Sequence, residues 1–449
     1  MNQSSGYKLK AEIKQKSSDS VKSIKKLLRQ RFLVVAFALL LTALGASITS
    51  ISFKTGIAFI NNWRLELLES YPAYLVLPLF GLIGGTISGL LITNLAPAAK
   101  GSGVSQIMGF LRHKKVPMNL RVGLVKLISG IISIGSGFPL GPEGPAVQMG
   151  GSVAWQMAKW LKTPIAFRRV IVAAGGGAGI AAVFSAPLGG FVYAIEELLN
   201  SARPVVLLLV IVTTFIADSS AIFLQGGSNK PAFTIDLSFS PNDFFYLVIL
   251  GLIIGVFAEL YCKYVLMMQN LGKKLYQNKF VLKISICGFV LGTIYSLLGD
   301  EFHDLDKLKK IIATQNLDFS INPVENIIIW AILVVFILFV TSGLAAAVGA
   351  PGGLFYPMLI LGGATGLIIG SLMPENAPNT YIFAGMGAFV SGCSRTPITA
   401  MFLAFALTKN LIILKPVLIS CITSFLIARF FNEKSIYERQ IEIEIENQV

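Results

Sequence analysis

A series of apolar runs, each near the length that crosses a membrane, limits what this chain can fold into. The runs cover residues 32–53, 75–95, 205–223, 244–259, 327–340 and 411–431. A bilayer crossing needs roughly 20 predominantly apolar residues, so the shorter runs predict helices that are tilted, broken or buried in protein. Because 54% of the residues are hydrophobic and 13% are charged, a water-soluble fold would expose more apolar surface than water tolerates. The sequence therefore predicts an all-α, polytopic integral membrane protein.

The net charge of +14 is concentrated partly ahead of the first apolar run. Nine basic residues precede that run: Lys8, Lys10, Lys14, Lys16, Lys22, Lys25, Lys26, Arg29 and Arg31. The positive-inside rule places this end, and the basic loop at 111–119, in the cytoplasm. The charge therefore needs no nucleic-acid partner, and the following apolar stretch is too long for a cleavable signal peptide. We expect residues 1–31 to be a basic cytoplasmic segment, solvated and not a helix lying on the membrane.

Cysteine and histidine are too few and too scattered to indicate a disulfide framework, a metal site or a cofactor. The four cysteines, Cys262, Cys287, Cys393 and Cys421, have no paired spacing. The two histidines, His113 and His303, lie beside charged sequence. Their scarcity argues against a histidine-dependent hydrolase, and we do not expect an enzyme.

The stretch 135–151, GSGFPLGPEGPAVQMGG, places one carboxylate, Glu143, among small residues in an apolar neighbourhood. Its glycines and prolines forbid a continuous helix through the motif, while the sequence after it has a helical pattern, so Glu143 lies near a helix start. A helix start presents unpaired N–H groups and a partial positive charge, which suit an anion. The carboxylate can therefore occupy an anion site itself, or leave it when protonated.

The two halves of the chain repeat one plan. Gly137 corresponds to Gly349 and Gly141 to Gly353 at one constant offset, and Pro187 corresponds to Pro397 at a neighbouring offset. Repeats with broken helices at corresponding positions are typical of transporters that bind their substrate at the membrane midplane. We therefore divide the chain into membrane halves at 32–224 and 242–440, joined by a polar linker at 225–241 and followed by a short acidic cytoplasmic tail at 441–449.

Several further residues stand out, and each has a structural alternative. Ser102, between two glycines, is either a plain helix cap or a ligand-binding hydroxyl. Glu196 and Glu197 close an apolar helix and are either solvated acids or functional ones. Tyr437 follows the last apolar helix and is typical of an aromatic anchor at the interface. Asp218 and Glu259 also interrupt apolar runs, and we interpret both as structural.

Five motifs in order resemble the CLC family of chloride channels and chloride/proton antiporters: GSGVS at 101–105, GPEGP at 141–145, APLGGFVYAIEE at 186–197, GGLFYP at 352–357 and SIY at 435–437. The resemblance covers residues 32–440. It implies two inverted repeats of tilted and broken helices whose N-termini converge on a midplane anion site. It also implies a homodimer in the lipid bilayer with one pore per subunit, in the plasma (inner) membrane with both termini cytoplasmic.

The resemblance also implies roles for single residues. Glu143 would be the gating glutamate, and Glu197 the internal proton glutamate found in the antiporters. The residues that bind chloride would be Ser102 and Tyr437 through their hydroxyls, and Leu354 and Phe355 through their backbone N–H groups. Together these imply secondary active transport of chloride in exchange for protons.

Two positions depart from the family pattern, and alternatives stay open. Pro142 stands where the family usually has Arg or Lys, which removes a cation and a backbone N–H near the outer anion site. Ser105 stands where it usually has Pro. Pro142 keeps open a passive, glutamate-gated chloride channel of the same fold. An intramembrane hydrolase using Ser102 or Ser136 is a weaker hypothesis, as is fluoride export, whose carriers depart from these motifs.

Overall fold

The structure, a computed structural model, describes residues 4–201, 203–227, 233, 239–241, 243–275, 279–315, 323–373 and 378–446, and these are almost entirely helical. The helices are α1 Ser4–Ser70, α2 Ala73–Leu95, α3 Val104–Leu111, α4 Leu120–Gly135, α5 Glu143–Trp160, α6 Ile165–Phe184, α7 Pro187–Tyr193, α8 Pro204–Leu224, α9 Asp243–Leu275, α10 Phe280–Ser296, α11 Leu305–Thr314, α12 Pro323–Val348, α13 Phe355–Ser371, α14 Pro378–Ser394, α15 Pro397–Thr408, α16 Leu414–Phe431 and α17 Ile436–Glu446. A π-helical turn, Ala194–Leu199, continues α7.

Seven helices in the described part of the chain are long and apolar enough to cross a membrane. The candidate spans are Arg31–Ser70, Ala73–Leu95, Ile165–Phe184, Pro204–Leu224, Asp243–Lys274, Ile327–Val348 and Leu411–Ile443, the last of which contains α16 and the start of α17. Large apolar side chains such as Phe215, Phe223 and Phe336 are exposed on these helices, which suits contact with lipid. The prediction of an all-α, multi-pass membrane protein is confirmed.

Two of the predicted domain boundaries fall inside helices. α1 runs through residue 31, from Ser4 to Ser70, and lysine, arginine and leucine all favour a helix. Residue 440 lies inside α17, and the division into cytoplasmic and membrane segments stays a prediction. Most of the predicted linker at 225–241 lies outside the described residues.

The sequence from 300 to 323 mixes both charge signs, which is typical of an exposed loop, but it contains α11. This helix buries Leu308 and Ile312, which lie one turn apart, and exposes Lys307 and Lys310. It is therefore amphipathic. Its charged residues dominate the composition of the segment, so composition alone does not reveal the apolar face.

The two halves have matching helices. α5 and α13 begin at Glu143 and Phe355, which are related by the same offset as Gly137 and Gly349. α6 and α14 end at Phe184 and Ser394, which are related by the same offset as Pro187 and Pro397. The residues that follow the second pair, Ser185 and Arg395, both adopt the left-handed conformation, with φ of 50° and 62°. The predicted repeat is therefore present in the backbone.

The halves meet at an antiparallel bridge between Gly141 and Gly353. Gly141 N–H donates to Gly353 O, and Gly353 N–H donates to Gly141 O, both at 2.8 Å. These two glycines occupy equivalent positions in the repeat. Each half therefore donates to the other the same backbone hydrogen bond that it accepts. Antiparallel pairing of equivalent residues is what a local two-fold axis produces, in agreement with the inverted repeats that the resemblance implied.

Within each half the helix after the bridge packs closely on its successor. Gly150 of α5 lies against Gly175 of α6, and Gly362 of α13 lies against Gly385 of α14. Small residues let helix backbones approach in this way. The close packing fixes where α5 and α13 begin, and so fixes the positions of their N-termini.

Candidate functional site

Glu143 is fully buried at the first turn of α5. Pro142, whose ring cannot donate a backbone hydrogen bond, precedes the helix as its N-cap. The Glu143 carboxylate reaches across to the N-terminus of α13, where Oε1 accepts a hydrogen bond from Tyr356 N–H at 3.2 Å. Oε2 has no protein partner among the described residues. One acid therefore lies at two helix N-termini, as the sequence predicted for one of them.

The bridge glycines shape the space around this carboxylate. A Cβ atom at Gly353 would collide with Oε1 of Glu143, and one at Gly141 would collide with Oε2. The carboxylate therefore lies in a slot that a larger residue at either position would close.

Buried hydroxyls without protein partners surround this slot. The Oγ of Ser102 and the phenol oxygens of Tyr193 and Tyr437 are all buried and make no hydrogen bond in the described structure. Ser102 lies against Gly144 of α5. The Tyr437 ring stacks on Phe355 with centroids 6.3 Å apart, and the Tyr193 ring meets Phe355 edge-on at 6.2 Å.

Unpaired buried hydroxyls are costly unless a ligand or water completes them. The structure thus brings Ser102, Glu143 and Tyr437 into one region with the first turn of α13, which contains Phe355 and follows Leu354. This is a donor-rich pocket suited to a small anion.

Lys126 is a buried cation that the sequence analysis missed. Its side chain is fully buried in α4, and its Nζ donates to Ala99 O at 2.9 Å and to Gly101 O. It therefore places a positive charge beside the loop that carries Ser102. A lone lysine in an apolar helical run was the available signal.

Glu197 lies on the π-helical turn and is 6% exposed. Its Oε1 accepts a hydrogen bond from Ser435 Oγ at 3.1 Å. Ser435 also caps α17, since Glu438 N–H donates to its Oγ and Ser435 N–H donates to Glu438 Oε2. The structure thus connects Glu197 to the short segment that carries Tyr437.

Glu196 has a different neighbour. Its carboxylate accepts hydrogen bonds from Ile398 N–H at 3.3 Å, and from Thr399 N–H at 2.9 Å and Thr399 Oγ1 at 2.7 Å. It therefore caps the N-terminus of α15. The π-helical turn directs two consecutive acids to different partners, which a reading of the sequence could not anticipate.

Ion pairs, of which those made by Glu259 are buried, hold α17 in place. Glu259 of α9 pairs with Arg395 at 2.8 Å and with Arg439 of α17 at 2.9 Å. Arg112, which follows α3, pairs with Glu438 on the same helix. Glu259 therefore anchors α17 through Arg439, two residues after Tyr437.

Two cavities flank the Glu143 region. One, of about 420 Å³, is lined by Pro142 and Tyr356 and carries charges of both signs, from Lys54, Arg64, Lys309, Asp304 and Asp306. The other, of about 620 Å³, is lined by Ser102 and the adjoining loop. Fully buried Glu143 thus lies between residues that line the two cavities.

No group of three or more His, Cys, Asp or Glu side chains able to hold a metal ion occurs within the described ranges. The four cysteines are buried and unpaired. Ser136, the other serine considered as a nucleophile, lies at the end of α4 against Gly84 of α2.

Residues 84–429 match a protein-family model described as voltage gated chloride channel. The chain is also similar to the crystal structure of a slow cyanobacterial Cl⁻/H⁺ antiporter, with 26% identity, 92% of this chain and 99% of that chain covered, and a TM-score of 0.82. Two further crystal structures share the fold. They are a eukaryotic CLC transporter (23% identity, 92% and 74% covered, TM-score 0.76) and a CLC-type fluoride/proton antiporter (18% identity, 90% and 97% covered, TM-score 0.77).

Proposed function

This chain belongs to the voltage gated chloride channel family, and from that premise we propose that it exchanges chloride for protons across a membrane. The observation that carries the proposal is the contact between Glu143 and α13. Its carboxylate accepts a hydrogen bond from Tyr356 N–H, a donor that the pocket would otherwise offer to an anion. A titratable group and the transported ion therefore compete for the backbone N–H groups at the N-terminus of α13, which we call the cradle.

The competition couples the two ions. When Glu143 takes up a proton it loses the charge that the N–H groups stabilise, and the side chain leaves the cradle. Chloride then binds at the same helix N-terminus, to the N–H groups of Leu354 and Phe355 that precede Tyr356, and to the hydroxyls of Ser102 and Tyr437. Backbone dipoles and hydroxyls hold a halide without a full counter-charge, so the ion can still leave.

Glu197 completes the proton path in this proposal. It is nearly buried and hydrogen-bonded to Ser435, which lies on the same short segment as Tyr437. We propose that it carries protons between Glu143 and the side of the protein where α17 lies. A passive chloride channel would need no second buried acid, so this residue favours exchange over the channel alternative. The 26%-identical antiporter structure supports the same choice.

The chain is an integral, multi-pass membrane protein. We further propose that it is a homodimer with one pore per subunit, located in the plasma (inner) membrane with both termini in the cytoplasm. The basic segment at 1–31 and the basic loop at 111–119 support that orientation through the positive-inside rule.

The test is proton movement driven by a chloride gradient in liposomes that contain the purified protein, with the voltage clamped by an ionophore. We expect uphill proton movement that stops when the chloride gradient is removed. Chloride flux without proton movement would replace the exchanger by the channel, and absence of both fluxes would reject the proposal.

A further inference from the structure

Tyr193 is a buried group that the proposed function does not use. It is the last residue of α7 and is fully buried, and its phenol oxygen has no hydrogen-bond partner within the described part of the chain. A buried hydroxyl without a partner destabilises a fold, and phenylalanine would fill nearly the same volume without that penalty. The hydroxyl of Tyr193 therefore calls for a role beyond packing.

The repeat indicates that the scaffold does not require this hydroxyl. At the offset that relates Pro187 to Pro397, the position equivalent to Tyr193 holds Leu403. Leu403 lies on α15 and is also buried. The same place in the fold is thus built with an apolar side chain in the second half, so the phenol is a feature of the first half alone.

The ring of Tyr193 lies at the N-terminus of α13. It meets the ring of Phe355, the first residue of that helix, edge-on with the centroids 6.2 Å apart. The next residue, Tyr356, donates its backbone N–H to the Glu143 carboxylate. Tyr193 therefore packs beside the helix end that receives Glu143.

Glu197 lies about one helical turn after Tyr193. The two residues are four positions apart, a spacing that places side chains on one face of a helix. The charges of Glu197 and Glu143 both act on the Tyr193 phenol. The structure thus puts one hydroxyl within electrostatic reach of both acids of the proposed proton path.

We propose that Tyr193 relays protons between Glu197 and Glu143. The relay rests on the proposed function and names a residue within the path that this function requires. Because the hydroxyl makes no direct hydrogen bond to either carboxylate, water completes the path on each side of it.

The relay moves one proton without forming a charged tyrosine. A proton leaves the carboxylic acid of Glu197 and, through water, a new O–H bond forms at the phenol oxygen of Tyr193. The original phenol O–H bond breaks at the same time, and its proton passes through water to the Glu143 carboxylate. Glu197 is then ionised, Glu143 is protonated and the phenol is restored. The reverse step moves a proton the other way.

Tyr193→Phe tests the relay, because it removes the hydroxyl and keeps the ring against Phe355. The measurement is paired chloride and proton flux in liposomes that contain the full chain, with the voltage clamped by an ionophore. We expect proton flux to fall about tenfold, below the usual contribution of a positioned acid–base group because water still bridges part of the path. Chloride flux should continue, since the anion site keeps its donors.

Tyr261→Phe is the matched control. Tyr261 of α9 is also fully buried, but its hydroxyl is paired with Ser342 Oγ at 2.9 Å. This variant should lower the melting temperature in detergent and leave the ratio of proton flux to chloride flux unchanged. Tyr193→Phe should change the flux ratio without lowering the melting temperature, a pattern that a packing role does not produce.

Two further measurements define what the hydroxyl does. Calorimetric titration with chloride should show weaker binding in Tyr437→Phe and unchanged binding in Tyr193→Phe, which separates a proton relay from a chloride ligand. Tyr193→Phe combined with Glu197→Gln should move protons no more slowly than Glu197→Gln alone, because two interruptions of one path are not additive.

The outcomes separate this inference from the function on which it rests. If the wild type exchanges chloride for protons and Tyr193→Phe keeps the wild-type flux ratio, the relay is overturned and the proposed function stands. Weaker chloride binding in Tyr193→Phe, or an equal loss of both fluxes, would also overturn the relay. Chloride flux without proton movement in the wild type would reject the proposed function and the relay with it.

Discussion

The first turns of α5 and α13 are repeat equivalents, yet only one of them carries an acid. Glu143 begins α5, and Phe355 occupies the equivalent position at the start of α13. Their backbones correspond closely enough for Gly141 and Gly353 to exchange hydrogen bonds. The halves therefore share a scaffold and differ in the side chain placed at its centre.

The same asymmetry recurs at the other acids. Glu196 and Glu197 belong to the first half, and the equivalent positions of the second half, at the offset that relates Pro187 to Pro397, hold Ala406 and Leu407. In the proposed function the paired helix N-termini of the duplicated backbone hold the anion, and the two acids that carry protons, Glu143 and Glu197, both belong to the first half. A symmetric anion site with one-sided acids would thus separate holding an anion from moving a proton.

The sharpest way to break this asymmetry is Glu143→Gln. Glutamine fills a similar volume but carries no proton at any accessible pH, so chloride-driven proton movement should fall at least about 100-fold, the scale of a lost acid–base group. Chloride flux should persist, because the cradle remains. The measurement is paired chloride and proton flux in liposomes.

Glu301→Gln is the control for that experiment. This carboxylate accepts a hydrogen bond from Trp330 Nε1 at 3.3 Å and lies outside the pocket, so both fluxes should stay near wild type. Equal proton flux in wild type and Glu143→Gln would mean that the acid at the centre of the cradle does not couple the ions.

Glu196 and Glu197, the two consecutive acids of the π-helical turn, give the next largest expected effect, because only one of them is proposed to carry protons. Glu197→Gln should slow proton movement at least about tenfold while chloride flux continues. Glu196→Gln should instead weaken the cap of α15, lowering stability by about 1 kcal/mol with little change in proton flux. Flux and melting temperature measured on both variants decide between the roles. Equal loss of proton flux in the two would mean that the turn does not separate their functions.

Much of this scaffold is encoded locally, which is why the sequence predicts it. The breaks at Pro142 and Pro187, the start of α5 at Glu143 and the repeat offsets all follow from glycine, proline and apolar patterns. The assigned roles of Ser102, Leu354, Phe355 and Tyr437 remain predictions, although the structure places these residues together.

Partners distant in sequence could not be predicted. Glu196 meets Thr399 only after a π-helical turn that has no local sequence signal. Lys126 gains significance from its buried contacts with the carbonyls of Ala99 and Gly101, which depend on how α4 packs beside that loop. Amphipathic α11 was missed because its charged residues outweigh its buried apolar ones.

If the scaffold is symmetric, equivalent glycines should respond alike. Gly150→Ala and Gly362→Ala each place a Cβ against the backbone of the partner helix, at Gly175 and Gly385. We expect both to lower stability by about 1–3 kcal/mol, the usual cost of overpacking. Melting temperatures in detergent measure this.

Gly109→Ala is the matched control, because its nearest obstacle is the Val116 side chain at 3.3 Å and alanine favours a helix over glycine. It should cost much less than either helix-contact variant. A large loss for Gly150→Ala beside none for Gly362→Ala would show that the halves are packed differently.

The smallest expected effect on stability concerns two short helices, α3 and α11, which precede the packed pairs α5–α6 and α13–α14. In the first half, Ser102 just before α3 lies against Gly144 of α5. In the second, Asp306 of α11 accepts a hydrogen bond from the Tyr356 hydroxyl of α13 and pairs with Lys309 at 2.9 Å. A preceding segment therefore contacts the first turn of α5 in the first half and of α13 in the second. In the second half that contact is made by the ionised carboxylate of Asp306.

Asp306→Asn tests that ionic contact. Desolvation by the surrounding protein would raise the pKa of Asp306, but Lys309 and the Tyr356 hydrogen bond together hold the pKa below its ordinary value. A lowered native pKa stabilises the fold above about pH 4, the ordinary value for Asp, and this contribution is lost as the pH falls through the native value. Because the side chain is largely exposed, the substitution should cost less than about 1 kcal/mol at pH 7. Melting temperatures from pH 7 to pH 3 should therefore converge for variant and wild type at the acid end, and a constant difference across that range would mean that the charge of Asp306 does not stabilise the first turn of α13.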